Sequence, residues 1–166
     1  MSDAAAPALL LRAATAADMA AVQRIYARHV LEGSASFEEV PPDIAEIDRR
    51  RREIVGHGLP YLVAESAGAI VGYAYLSRYR PRTAYRFTVE DSIYLAEGAQ
   101  GRGIGSRLLG SLIETATALG MRQMIAVIGD SANRASIALH ERHGFAMTGK
   151  FRSVGFTHWR WLDSVL

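Results

Sequence analysis

Cysteine is absent from the 166 residues, which excludes disulfides, thiolate metal sites and a cysteine nucleophile. Its absence leans toward a reducing compartment, and a cytoplasmic location is the expectation. Long apolar runs are missing as well, since none approaches the ~20 residues needed to cross a bilayer. Residues 4–11 lack the basic start and small-residue cleavage site of a secretory leader. Neither membrane insertion nor secretion is expected. Charge of one sign is scarce, with 19 Lys+Arg against 17 Asp+Glu, so no broad basic field invites nucleic acid. The densest charge run, residues 49–52, lies among Ile44, Ile47 and Ile54 at near-helical spacing and reads as the solvated face of an amphipathic helix. No Pro/Gly linker or internal repeat divides the chain, and only the alanine-rich first residues are of low complexity. With 49% hydrophobic and 22% charged residues, composition is ordinary for a globular protein, and a single domain over residues 1–166 is expected.

Residues 9–12 read as a short strand. Thr15 with Asp18 three residues on forms a capping-box pattern that opens a helix with Met19, Val22, Ile25 and Tyr26 inward. A polar loop over residues 32–37 follows, and Pro41-Pro42-Asp43 starts a second helix running to about Val55, before Gly56 and Gly58. Apolar runs at 61–65 and 70–76, separated by Ser66-Ala67-Gly68-Ala69, predict a hairpin. A strand over 86–95 follows a loop dense in arginine and tyrosine. Next stand a glycine loop and a helix with Leu108, Leu109, Leu112, Ile113 and Ala116 at helical spacing, ended by Gly120. Residues 124–128 read as one buried strand, 133–143 as a helix closed by Gly144, and 154–162 as the last strand. This order indicates an α/β chain, a mixed sheet with helices on both faces.

The glycine loop is Gln100-Gly101-Arg102-Gly103-Ile104-Gly105. A glycine turn entering a helix offers unpaired backbone N–H groups and the positive end of the helix dipole, and so can hold a phosphate. It is not a Walker loop, because Gly105 is followed by Ser106-Arg107 rather than Lys-Ser/Thr. The dinucleotide pattern G-x-G-x-x-G fails too, since Ser106 stands where the third glycine would be.

The loop is similar in every defined position to the Gln/Arg-x-x-Gly-x-Gly/Ala signature of the GNAT N-acetyltransferase superfamily. It also follows a strand and precedes an amphipathic helix, as that family requires. Downstream, the stretch from Asn133 through His140-Glu141-Arg142-His143-Gly144-Phe145 resembles the family's second cofactor helix. With Thr88-Val89-Glu90-Asp91-Ser92-Ile93-Tyr94, Ala126-Val127-Ile128-Gly129, Gly155-Phe156 and Arg160-Trp161-Leu162-Asp163, the likeness narrows to the phosphinothricin and methionine sulfoximine (or sulfone) N-acetyltransferase branch. The resemblance implies a mixed, mostly antiparallel sheet, acetyl-CoA as cosubstrate, no metal, a small amino acid as acceptor and a homodimer. It places the cofactor on Ile93, Tyr94, Leu95, Gln100, Gly101, Arg102, Gly103, Ile104, Gly105, Ser106, Asn133 and Ser136. Asn133 suits a helix N-cap equally well, and the two roles can coexist.

Amine acetylation needs a base for the arriving ammonium and an acid for the departing thiolate. Glu90, on the strand before the cofactor segment, is the first candidate for the base, because an apolar setting raises a carboxyl pKa. Pairing with a nearby arginine is the competing role. His140 stands where many family members carry a tyrosine acid, and a near-neutral histidine can serve as base or acid. A backbone N–H near Tyr94 is the expected oxyanion donor. On the acceptor side, arginine forks suit carboxylate, phosphinate and sulfone oxygens. By resemblance, Arg80, Arg82 and Tyr85 belong to the substrate loop, Phe87, Glu90, Asp91 and Ser92 follow on the strand, and Phe37 closes the pocket.

Two other readings compete. A family member acting on protein N-termini, polyamines or aminoglycosides would favour an acidic groove, whereas this loop is rich in arginine. A non-catalytic coenzyme A module would have no reason to keep Glu90 and His140 together.

Overall fold

The computed structural model describes residues 8–166, so the alanine-rich start lies outside the described residues. Strand β1 (Leu9–Ala13) runs into a 3-10 turn, Ala16–Asp18, and helix α1 (Met19–Glu32). The capping box forms as the spacing predicts: Asp18 accepts the Thr15 N–H at 2.7 Å. The same carboxylate takes both arms of the Arg12 fork at 2.8 Å, and that hydrogen bond, ahead of those from Thr15, holds its pKa at about 2. Asp43 caps α2 (Ile44–Gly56) by accepting the Glu46 N–H at 2.8 Å. β2 (Tyr61–Ser66) and β3 (Ala69–Arg78) form the expected hairpin. Its two turn residues, Ala67 and Gly68, both take positive φ (50° and 77°), as a two-residue turn matched to strand twist requires.

β4 (Thr88–Leu95), α3 (Ile104–Ala118), β5 (Gln123–Ala126), β6 (Ile128–Gly129), α4 (Arg134–Arg142), β7 (Lys150–Thr157) and β8 (Arg160–Val165) complete the chain. Five strands form one sheet in the order β1-β2-β3-β4-β5, antiparallel except for β4 against β5. The other three make a small antiparallel sheet, β6-β8-β7. Along β2 and β3 the side chains alternate between two cores. Tyr61, Val63 and Tyr73 pack with α1 residues Met19, Val22 and Ile25, while Ala64, Ala74 and Leu76 pack with Leu108 and Leu112 of α3. Helices therefore cover both faces, as expected.

Three strand boundaries differ from the sequence reading. The strand expected over 86–95 starts at Thr88, because Thr83–Tyr85 is a 3-10 turn and the Arg86 N–H bonds back to Thr83 O. The apolar run at 124–128 is two strands, because β5 lies beside β4 whereas β6 joins β8 in the second sheet. The single strand expected at 154–162 is the β7–β8 hairpin, turned by His158 and Trp159 at φ 49° and 59°. Neither residue is a customary turn former, so the reversal left no compositional mark.

Candidate active site

The site is built on the end of β4. The Ala96 N–H donates to Val71 O and the Tyr79 N–H to Thr88 O. By antiparallel alternation, even-numbered residues of β4 therefore bond β3, and odd-numbered ones turn their backbone groups to the opposite edge. Val89 and Asp91 meet β5 there, but the ladder stops at Asp91 paired with Ala126. Ile93 and Leu95 thus face an opening, and Leu95 O accepts from His29 Nε2 at 2.9 Å. Tyr94, expected near the oxyanion donor, has its backbone committed to β3, so the donors on the open edge are its two neighbours.

The opening is a cavity of about 510 Å³ reaching from Ile93, Tyr94 and Leu95 to the glycine loop and to Asn133, Ser136 and His140 of the α4 segment. Gly101 and Gly103 sit at φ 72° and 74°, and a Cβ on either would meet nothing. Gly103 is the N-cap of α3 and supplies no side-chain hydrogen bond. The first N–H groups of α3 and the adjoining dipole end therefore face open space, a donor set suited to a diphosphate. Ile93, Leu95, Val127 and Leu139 provide an apolar strip for an uncharged arm. The residues thus fit coenzyme A by both chemistries. Gln100, Gly105 and Ile104 border the cavity, whereas Arg102 and Ser106 do not. Ser106 Oγ instead bonds His143 Nε2 at 2.8 Å, tying α3 to the end of α4. Asn133 is the α4 N-cap, its Oδ1 accepting the Ser136 N–H at 3.2 Å.

Side chains of β4 divide by parity. Tyr94 joins the α1 core and Val89 the α3 core, which puts Glu90 and Ser92 on the first face and Asp91 on the second. Glu90 is half-buried opposite Ser77, and burial, followed by the Asp91 charge, raises its carboxyl pKa above the ordinary value. Asp91, expected on the acceptor, is instead buried against α4, with Oδ2 2.9 Å from His140 Nε2. The other ring nitrogen, Nδ1, donates to Ser136 O at 2.8 Å. Burial pulls the His140 pKa down, yet the Asp91 hydrogen bond and charge, with Ser136 O, outweigh it and the net shift is upward. Both ring nitrogens thus have partners inside the protein, Nε2 on Asp91 and Nδ1 on Ser136 O. The Asp91–His140 pair joins α4 to β4 at the edge of the cavity that His140 borders.

A second cavity, about 440 Å³, lies between α2 and the sheet, lined by Tyr26, Arg50, Tyr61, Tyr75, Arg78 and Arg80 among others. Tyr73 and Tyr75 of this cavity pair in register with Tyr94 and Ser92 of the first, so the two cavities neighbour each other across β3 and β4, while Glu90, opposite Ser77, lies beside them and lines neither. Of the expected acceptor loop only Arg80 lines it, its guanidinium 5.1 Å over the Tyr79 ring. Arg82, Tyr85 and Phe87 are exposed outside it, Phe87 lying under the Arg86 guanidinium at 4.6 Å. Phe37 rests on the strand junction formed by Gly129 and Gly155. Sequence reasoning missed Arg50 and the tyrosine wall, whereas Arg78 begins the arginine-rich loop it had pointed to. The tyrosines at 61, 73 and 75 carried a readable signal, large residues at period two on paired strands. Arg50 was hidden in a charge run whose neighbours Arg49 and Arg52 are solvated ion-pair partners. Among the described residues, no group of three or more His, Cys, Asp or Glu is placed to hold a metal ion.

Residues 11–166 match the acetyltransferase (GNAT) domain family. The chain is 52% identical over 149 residues to a phosphinothricin N-acetyltransferase of Alcaligenes faecalis, covering 90% of this chain and 76% of that one. It is 40% identical over 158 residues to an L-methionine sulfoximine/L-methionine sulfone acetyltransferase of Pseudomonas aeruginosa, covering 92% and 89%. Its fold matches, with TM-score 0.92 and 52% identity, the crystal structure of a GNAT superfamily phosphinothricin acetyltransferase from Sinorhizobium meliloti in complex with AcCoA, covering 95% of this chain and 85% of that one. The chain belongs to the GNAT acetyltransferase family.

Proposed function

We propose that this enzyme transfers an acetyl group from acetyl-CoA to the α-amine of a small L-amino acid whose side chain ends in a phosphinate, sulfone or sulfoximine. The observation that carries the reading is the pair of neighbouring cavities beside β4, one bordered by the glycine loop and the start of α3 and the other bordered by Arg50, Arg78 and Arg80. The similarity to a phosphinothricin N-acetyltransferase and to a methionine sulfoximine/methionine sulfone acetyltransferase supports the same acceptor class.

Acetyl-CoA supplies the activated acetyl thioester. The amides of Gly101 to Ser106 bind its diphosphate, and the Ile93 and Leu95 backbone orients its arm and polarises the thioester oxygen. Glu90, its pKa raised, takes the proton from the acceptor ammonium directly or through one water, freeing the nitrogen lone pair to attack. Attack makes the nitrogen of the tetrahedral adduct cationic; the C–S bond then breaks, and the departing thiolate takes its proton from that nitrogen or from water rather than from His140, whose ring nitrogens face Asp91 and Ser136 O. Asn133 and Ser136 fix the start of α4 along the cavity, while Arg102, outside the cavity lining, adds positive charge to the glycine loop. Arg50, Arg78 and Arg80 anchor the acceptor's two oxygen-bearing ends. Ser92 and Tyr75 shape the passage between the cavities, and Arg82, Tyr85 and Phe87 act from outside the wall.

We read residues 1–166 as a single domain. No helix among the described residues is long and apolar enough to cross a membrane, and we place the enzyme in the cytoplasm, with no nucleic-acid partner. The β7–β8 hairpin exposes Phe156, Trp161 and 93% of Trp159, and β7 is a sheet edge. Exposure of this kind supports a homodimer that covers the hairpin.

Arg80→Ala is expected to raise the acceptor KM by roughly tenfold or more, the equivalent of one charge-assisted hydrogen bond. The KM for acetyl-CoA should stay put, and Lys should rescue only partly because a point charge cannot reproduce the fork. An unchanged acceptor KM for both Arg78→Ala and Arg80→Ala would remove this cavity from acceptor binding. For the cofactor side, Gly103→Val forces a β-branched residue into the left-handed region beside the diphosphate seat. The KM for acetyl-CoA should rise steeply, and an unchanged value in a folded variant would take the loop out of the cofactor site.

A further inference from the structure

Two glycines near the junction of the two sheets are not explained by their backbone. Gly129 of β6 and Gly155 of β7 lack the positive φ that seven other glycines show. What they lack room for is a side chain. A Cβ on Gly155 would stand 2.5, 2.7 and 2.9 Å from three ring atoms of Phe37. A Cβ on Gly129 would stand 3.2 Å from the same ring, and it would also collide with Ser34 O. Phe37 therefore lies on a seat made of two bare backbones, from strands that only the second sheet brings together.

The residues flanking Phe37 reach both cavities. Ala35 lines the cofactor cavity beside Gly129. Ser36 is buried, its Oγ 2.8 Å from the hydroxyl of Tyr26, which walls the acceptor cavity. The Glu38 N–H donates to Ser36 Oγ at 3.1 Å, and the Glu38 carboxylate pairs with Arg50 of that same wall at 2.6 Å. One short stretch thus touches the cofactor side through Ala35 and the acceptor side through Ser36 and Glu38. The Phe37 ring pins it to the second sheet between them. Phe37 is still 41% exposed, so one side of the ring is held and the other is open.

We propose that Gly129 and Gly155 are positioning residues for acceptor binding: by seating the Phe37 ring they hold the loop between α1 and α2 at the height that aligns Tyr26 and Arg50 with the acceptor. The proposal rests on the acceptor reading above. A methyl group at 155 would lift the ring, and the displacement would pass through Ser36 and Glu38 to the two anchors they hold. Misplacement of about an ångström at a binding wall is enough to cost on the order of 10- to 10²-fold.

The test pairs a kinetic and a structural readout on the full chain. Gly155→Ala is expected to raise the acceptor KM by about tenfold or more, with the acetyl-CoA KM within about twofold of wild type. Phe37→Ala should produce a similar rise, and the double variant should be no worse than either alone, because both act through one contact. Phe37→Leu, which trades the ring for a shorter branched side chain, should recover part of the loss in the Gly155→Ala background. Hydrogen exchange of residues 33–43, measured without any acceptor, should accelerate in Gly155→Ala and in Phe37→Ala relative to wild type. Unchanged exchange in both variants would overturn the seat itself. Faster exchange with an unchanged acceptor KM, or kinetic losses that add in the double variant, would overturn its role in binding. If the amino-acid acceptors are not acetylated by wild type, the acceptor reading fails while the exchange experiment still judges the seat. If Gly155→Ala does not fold, Phe37→Leu against Phe37→Ala in the wild-type background gives the same KM comparison, and equal wild-type values for both would overturn the proposal.

Discussion

Glu90→Gln should lower kcat by a factor on the order of 10² or more and leave the KM for acetyl-CoA unchanged, because only the proton acceptor is lost. The substitution keeps the shape of the side chain on the acceptor face of β4. Wild-type kcat should rise with pH through the raised pKa of Glu90, and that limb should vanish in the variant. Stability should move the other way. A carboxyl whose folded pKa lies above its unfolded value binds more protons in the folded state, so folding stability falls as pH rises from the ordinary carboxyl range through the raised value. Gln removes that loss, and the variant should be at least as stable as wild type at neutral pH by thermal or chemical denaturation. Full turnover with an intact pH profile would exclude Glu90 as the base.

Asp91→Ala should destabilise the fold by about 3–5 kcal/mol, the scale for leaving one partner of a buried ion pair uncompensated. The carboxylate is 2% exposed and its histidine partner 8%, so water cannot take over the missing contact. The pH dependence identifies the mechanism. His140 has a folded pKa above its unfolded one, so the pair's contribution is fully present below the unfolded value of about 6.5 and is lost as pH rises through the folded value. The gap in stability between wild type and Asp91→Asn should therefore be larger at about pH 6 than at about pH 9. Chemical denaturation at the two pH values measures it. A gap that stays constant, or widens at high pH, would mean that His140 is neutral in the folded protein and available for proton transfer after all.

Much of the fold was readable because its signals are local. The capping box at Thr15, the Asp43 cap, the Ala67-Gly68 turn and the glycine loop before α3 each lie within a few residues of the structure they specify. The features that sequence reading mistook depend on pairing at a distance. Nothing local marks the break between β5 and β6, because the run at 124–128 is apolar throughout and only the competing partners β4 and β8 divide it. His158 and Trp159 reverse the chain without turn residues.

Site residues follow the same division. The glycine loop before α3 was legible since its features belong to consecutive residues. His140 drew attention by position, but its partner Asp91 lies 49 residues away, and that partner decides whether the ring moves a proton or holds a helix. Strand parity was the one available clue, because it sets Glu90 and Asp91 on opposite faces of β4. Arg50 looked like a member of a solvated run until its Glu38 contact placed it in a cavity wall.

The central claim is the acceptor, and a competition assay tests it most directly. Wild-type enzyme receives limiting acetyl-CoA with equal concentrations of L-methionine sulfone, L-phosphinothricin, spermidine and a peptide with a free N-terminus, and the products are identified by mass spectrometry. The account predicts that acetyl groups go predominantly to the α-amines of the two amino acids. Predominant acetylation of the peptide or of spermidine would contradict it.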